Sequence, residues 1–112
     1  MITEKNIRIP IYRYTLKIVV ANSVKEAAER FTDIQDTTAK GIVLGYEGRA
    51  IMVVPPDDIP TIVHECEHVK NAVWERIGFV PTPNNDEPDA YLLEYIFAEV
   101  MKVVKKHLAS QC

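Results

Sequence analysis

Residues 61–77 carry the strongest helix pattern in the chain, and this pattern limits what the rest can fold into. Apolar side chains recur at helical spacing, Pro60 stands directly before the segment, and Gly78 stands directly after it. The apolar stripe consists of Ile62, Cys66, Val69, Val73 and Ile77. A helix with a single apolar stripe buries it against another layer of structure. The other segments must therefore supply a sheet or further helices to cover this face.

The pattern of the other segments predicts strands and two more helices. Ser23 and Glu26 form a capping-box pattern at a helix start, and Gly48 separates two β-rich runs that predict a hairpin. In chain order we predict a strand over residues 12–20, a helix over 24–34, strands over 42–46 and 50–54, the helix over 61–77, and a helix over about 87–108. This β-α-β-β-α-α order predicts an α+β fold, with a small antiparallel or mixed sheet packed on a backing helix and on the two C-terminal helices.

The size and charge of the chain exclude several classes of function. Its 112 residues suit one domain, residues 1–112, so any active site is expected to be shallow or shared with a partner. Because 13 Lys and Arg stand against 16 Asp and Glu, we expect no nucleic-acid partner of the electrostatic type. No apolar run reaches the roughly 20 residues of a membrane span, and the N-terminus lacks a signal-peptide pattern. We therefore expect a cytoplasmic protein with no membrane partner, in which Cys66 and Cys112 are reduced thiols.

Residues 64–68 read His-Glu-Cys-Glu-His, the His-Glu-x-x-His pattern on a predicted helix. Residues four apart lie about 40° apart around a helix axis, so His64 and His68 project from one face and can bind one metal ion. The apolar stripe is centred about 130° away from them, so the two histidines do not lie on the side of the helix that faces the core. Glu65 lies about 100° from His64 and can act on a metal-bound water as general base. The pattern predicts a zinc site on this helix.

A catalytic zinc site also needs a third protein ligand and keeps one position open for water. The candidates are the carboxylates that follow the motif, namely Glu75, Asp86, Glu87, Asp89, Glu94 and Glu99. Glu75 stands roughly 10 Å further along the same helix than His68, which is too far. Glu87 and Glu94 are seven residues apart and share one face of the last helix. We predict that Glu87 is the third ligand, with Glu94 as the second choice.

These motifs resemble those of the gluzincins, which are zinc peptidases with His-Glu-x-x-His on one helix and a ligand glutamate on the next. In several such families the glutamate opens an Asn-Glu-x-x-(Ser/Ala) pattern, and residues 86–90, Asp-Glu-Pro-Asp-Ala, are similar. The element order over residues 23–108 also resembles small ImmA/IrrE-type and phage-encoded zincin-like proteins. The resemblance implies a zincin-like fold that holds Zn2+ through His64, His68 and Glu87. It also implies that Glu65 is the general base in hydrolysis of a peptide or protein substrate.

An alternative function is a zincin-like fold without proteolysis, in which zinc is part of a binding or regulatory module of the kind that phages encode. We expect an extended partner peptide to add to a sheet edge around residues 51–54. Cys66 points away from both histidines and belongs to the core, where Trp74 is also expected to pack. Glu67 is expected to be solvated or to hold a ligating histidine. The sequence leaves the oligomeric state open and is compatible with a dimer.

Overall fold

Four strands form one mixed sheet in the computed structural model, which describes residues 1–111. The strands are β1 (Ile2–Ile9), β2 (Tyr14–Ala21), β3 (Ile42–Tyr46) and β4 (Arg49–Val54), in the spatial order β1-β2-β4-β3. The outer pairs β1/β2 and β3/β4 are antiparallel, whereas the central pair β2/β4 is parallel. The α+β class and the mixed sheet predicted from the sequence are confirmed.

Three helices cover the two faces of this sheet. They are α1 (Val24–Phe31), α2 (Ile59–Ile77) and α3 (Glu87–Ser110). On one face, Ala28 of α1 packs with Val53 in a small apolar core. On the other face, Ile62 of α2 and Ile96 of α3 pack with Met52 in the larger core. No helix among the described residues is long and apolar enough to span a membrane.

Local signals set both ends of α2. The Asp58 carboxylate accepts hydrogen bonds from the backbone N–H of Thr61 at 3.2 Å and from its hydroxyl at 2.8 Å, which caps the first turn. Gly78 takes a left-handed φ of 76° and ends the helix. The predicted apolar stripe is buried except for Ile77, which is 44% exposed because it stands in the last turn, next to exposed residues.

Strand β1 is the main departure from the predicted order, which becomes β-β-α-β-β-α-α. The sequence did not predict it because only Ile7 and Ile9 of its eight residues are buried, so it lacks the alternation of a half-buried strand. The turn that follows, residues 10–13, contains no glycine that would mark it in the sequence. Ile11 and Arg13 adopt positive φ angles of 72° and 52° there, a conformation that favours glycine. The strand predicted over residues 12–20 consequently begins at Tyr14.

The helix predicted over residues 24–34 is also shorter than expected and ends at Phe31. Thr32 leaves the helical conformation, while its backbone N–H and its hydroxyl both donate to the carbonyl oxygen of Ala28. The hydroxyl of Thr32 then accepts a hydrogen bond from the backbone N–H of Ile34 at 3.1 Å. The threonine side chain thus replaces the hydrogen bonds that would have continued the helix.

Strand β3, not β4, forms the edge of the sheet beside α2. Strand β4 lies between β2 and β3, so both of its sides are already paired. The prediction of a docking edge around residues 51–54 is therefore wrong. Because β3 has one strand neighbour and contacts α2, it borders the face of α2 that carries the His-Glu-x-x-His motif.

Candidate metal centre

His64 and His68 lie one turn apart on α2 with their imidazole rings side by side. Their Nε2 atoms are 3.2 Å apart, and the ring planes are inclined by 80°. Both side chains are exposed. Two nitrogens bound to one tetrahedral zinc ion at about 2.0–2.1 Å lie about 3.3 Å apart. The spacing of the histidine pair is compatible with one zinc ion, and at the same distance one imidazole can donate a hydrogen bond to the other.

Glu65 belongs to the same helix but is turned toward the sheet. Its side chain is only 6% exposed. Gly41 lies so close that a Cβ at that position would be 2.9 Å from Cγ of Glu65. Burial raises the pKa of the Glu65 carboxyl, and the neighbouring imidazoles of His64 and His68 offset part of this rise. A raised pKa beside the histidine pair suits a carboxylate that takes up and releases a proton.

A groove of about 640 Å³ runs between α2 and the edge strand β3. Both histidines and Glu65 line it from α2, and small residues such as Gly45 and Ala72 line it further along. Adjoining hollows share residues with this groove at both ends, one lined by Lys40 and the other by Arg76. The motif therefore opens onto an elongated depression that follows the edge of the sheet.

The candidate third ligands lie on two helices, α2 and α3. Glu87 is the first residue of α3, Glu94 follows two turns later, and both side chains are exposed. Glu75 lines the groove on α2. Within residues 1–111, the side chains form no group of three or more His, Cys, Asp or Glu close enough to hold one metal ion. The structure brings His64 and His68 together, and the choice between Glu87 and Glu94 stays a prediction.

Asp89, another carboxylate after the motif, is engaged by two side chains of α2. It contacts the ammonium of Lys70 at 2.8 Å and accepts a hydrogen bond from the indole N–H of Trp74 at 2.7 Å. Glu67 is partly exposed and pairs with Lys70 at 2.8 Å. Lys70 itself is 4% exposed. Sequence reasoning missed Lys70 because no local pattern marks a buried lysine whose partner lies on another helix.

The two other residues assigned to the core of this region are buried as predicted. Cys66 is fully buried, and burial raises the pKa of its thiol to about 12. It therefore remains protonated and faces away from the groove. Trp74 is 3% exposed, and its ring packs edge-on against Tyr12 at a centroid distance of 5.2 Å.

Comparison with family models, with curated proteins and with solved structures gives no match to this chain. The case for a metal centre therefore rests on the motif and on the geometry of its side chains.

Proposed function

We propose that this chain is a zincin-like, zinc-dependent metallopeptidase in which Glu65 is the general base. The observation that supports this best is the pair of Nε2 atoms of His64 and His68, 3.2 Å apart, with the buried Glu65 beside them in the same groove. A metal-binding pair and a carboxylate with a raised pKa are the two elements that metal-assisted hydrolysis needs.

When bound, a zinc ion supplies Lewis acidity and lowers the pKa of a bound water to about 7. The residues of the chain perform the remaining tasks. His64 and His68 hold the ion, with Glu87 as the first choice for the third ligand. Glu65 takes a proton from the attacking water and passes it to the leaving amine. Its raised pKa favours the first of these transfers, because a carboxylate whose pKa is raised is a stronger base and takes up the proton more readily.

The edge strand β3 supports a peptide as the substrate. An extended peptide can add to a sheet edge through main-chain hydrogen bonds. Strand β3 spans five residues and borders the groove that contains Glu65. Gly45 and Ala72 leave space in that groove for the side chains of such a peptide. We therefore propose that a short extended segment of a peptide or protein is cleaved.

The test measures zinc content and peptide cleavage on the same purified protein. Elemental analysis should find one zinc ion per chain, and His64→Ala should lose it. Glu65→Gln should keep the zinc but lose cleavage of a mixed peptide library followed by mass spectrometry. Glu26→Gln, on α1 at the opposite face of the sheet, is the matched control and should keep both properties.

Each possible failure identifies a different error. A wild-type chain without stoichiometric zinc contradicts the metal centre. Cleavage by Glu65→Gln at the wild-type rate contradicts the assignment of the general base. A zinc-bound wild type that cleaves no peptide favours the alternative function, a zinc-containing binding or regulatory module. In that case a chelator should still lower the melting temperature, since a metal bound only to the folded state stabilises it.

A further inference from the structure

Helix α1 leaves part of its face of the sheet uncovered. Its eight residues span about 12 Å, whereas the eight residues of β2 span about 26 Å. Val19 and Ala21 of β2 are buried in the apolar core beneath α1. Phe31 ends the helix, and Nζ of Lys17 lies 5.0 Å from the centroid of its ring. Beyond Phe31, a hollow opens on the same face of the sheet.

We refer to this hollow as the Arg49 hollow. Its volume of about 450 Å³ lies within the range of about 300–1,000 Å³ that small-molecule sites occupy. Ile51, which is 7% exposed, contributes apolar surface to it. Residues of α1 and of all four strands line it, among them Asn6, Thr15, Lys17, Phe31, Tyr46 and Arg49.

The lining of the Arg49 hollow is positively charged. Lys17 and Arg49 contribute two cations, and no Asp or Glu of residues 1–111 lines the hollow. Glu4, which lies outside the lining, pairs with Lys17 at 3.1 Å. Because a lysine ammonium has three donors, Lys17 can bind a second anion while it keeps Glu4 as a partner.

Two further arginines stand at the border of the hollow. Arg8 faces Thr15 across the β1/β2 pair, and its guanidinium donates to the hydroxyl of Thr15 at 3.3 Å. The guanidinium of Arg30 lies 5.2 Å from the centroid of the Phe31 ring. Both arginines are exposed. Four cations therefore surround one hollow of a chain whose formal net charge is -3, and this local excess favours an anionic ligand.

Two aromatic rings adjoin these cations. Tyr46 is 54% exposed, and the guanidinium of Arg49 lies 5.8 Å from the centroid of its ring. Phe31 is partly buried beside Lys17. A planar base can stack on an exposed ring, and an arginine can hold a phosphate through two parallel N–H donors. A ligand that carries both a phosphate and a base matches the two features together.

We propose that the Arg49 hollow binds a nucleoside phosphate, with the phosphate on Arg49 and Lys17 and the base stacked on Tyr46. The ligand is a free nucleotide and not a nucleic-acid strand, because the hollow has the volume of a site for one small molecule. The net negative charge of the chain also disfavours a long polyanion. The site lies on the sheet face opposite α2, so it does not depend on the proposed metal centre.

A second hollow also borders Tyr46, and Arg76 of α2 lines it. Its lining includes two carboxylates, those of Glu47 and Glu75. Because these carboxylates repel a phosphate, the Arg49 hollow is the better site. Arg49 and Arg76 therefore provide a matched pair of substitutions, one on each side of the same ring.

The main test titrates isotope-labelled protein with adenosine monophosphate and follows the backbone amide signals by NMR. The signals of residues 15–17, 46 and 49 should shift in a saturable way, with a Kd below about 1 mM. Adenosine lacks the phosphate and inorganic phosphate lacks the base. Each of them should therefore bind at least about ten times more weakly than the nucleotide.

Substitutions assign the two halves of the ligand. Arg49→Gln should weaken nucleotide binding by about tenfold or more, and Arg49→Lys should retain part of the affinity, because it keeps the charge but loses the paired donors. Tyr46→Leu should weaken nucleotide binding by about tenfold and leave the binding of inorganic phosphate unchanged. Arg76→Gln is the control and should bind the nucleotide like the wild type. All three side chains are exposed, so the variants should fold, which thermal melting checks.

The same titrations contain the results that would overturn this inference. These are the absence of a saturable shift, equal affinity for inorganic phosphate and for the nucleotide, and loss of binding in Arg76→Gln instead of Arg49→Gln. Binding of a single-stranded oligonucleotide more than about ten times more tightly than the nucleotide contradicts the choice of a free nucleotide. His64→Ala should bind the nucleotide like the wild type, so a failure of the proposed zinc site leaves this inference unaffected.

Discussion

Adding one methyl group at Gly41 should displace Glu65 and destabilise the fold. Gly41 stands directly before β3, and an alanine Cβ there would lie 2.9 Å from Cγ of Glu65 and 3.1 Å from Cγ2 of Thr61. The carbonyl oxygen of Val53 would be 3.2 Å away. Carbon atoms normally pack at about 3.5–4.0 Å. Because Val53 belongs to the inner strand β4, its backbone is held, and the Glu65 side chain is the group that must move.

The expected size of the effect follows from two opposing contributions. Overpacking of a filled site costs about 1–3 kcal/mol. Alanine also restricts the unfolded chain, which stabilises the fold by about 0.4–1 kcal/mol. Taken at the middle of each range, the two contributions predict that Gly41→Ala lowers the free energy of unfolding by about 1 kcal/mol. In a urea titration monitored by circular dichroism, the midpoint should fall by about 0.5–1 M.

Gly45→Ala is the matched control at the other end of the same strand. Its Cβ would lie 3.5 Å from the hydroxyl oxygen of Tyr14 and 3.6 Å from Cβ of Ala72, which is ordinary contact. This variant should be as stable as the wild type or slightly more stable. In a Glu65→Ala background, the cost of Gly41→Ala should also become smaller, because Cγ of Glu65 is gone. Equal stability of Gly41→Ala and wild type would refute the reasoning, as would equal destabilisation by both glycine substitutions.

Three other predictions concern parts of the fold outside the groove. Burial, with a smaller contribution from the N-terminal ammonium, lowers the pKa of His107 from its usual 6.5. Below about pH 6.5 the unfolded chain then binds a proton that the folded chain does not bind, so the urea midpoint should decrease as the pH falls. The variant His107→Gln should show a smaller decrease of the midpoint over the same pH range. In a Cys112→Ser background, Cys66 should react with a thiol reagent only upon unfolding, because burial raises its pKa to about 12; rapid labelling of the folded chain would contradict this. Ser23→Ala should lower the free energy of unfolding by about 1 kcal/mol in the same titration, because the hydroxyl of Ser23 caps α1. Ser23→Asp should keep most of the wild-type stability, because aspartate also caps helices.

The helices of this chain were predictable because their signals are local. The cap at Ser23 and the left-handed Gly78 each act within a few residues, and the apolar stripe of α2 repeats at helical spacing. The pairing of His64 and His68 was predictable for the same reason, since a separation of four residues on a helix sets the distance between two side chains.

The remaining features depend on contacts between distant segments. Strand β1 is held by its pairing with β2 across a turn without glycine, so its own residues do not identify it. The burial of Lys70 depends on Asp89, nineteen residues later and on another helix. Glu87 and Glu94 share one face of α3, so the spacing that makes both of them candidates cannot distinguish between them. Such features require the packing of whole elements, which periodicity within one segment does not contain.

The rotation of α2 explains why consecutive residues of one motif have such different surroundings. Each residue turns the side chain by about 100° around the axis. Cys66 lies about 200° from His64 and points into the core, where it is fully buried. Glu65 lies halfway between them, at the border of core and groove, where burial raises the pKa of its carboxyl. An exposed histidine pair and a desolvated carboxyl group thus arise from a single packing arrangement. Because residues such as Val69 fix that rotation against the sheet, the core face of α2 belongs to the site as much as the histidines do.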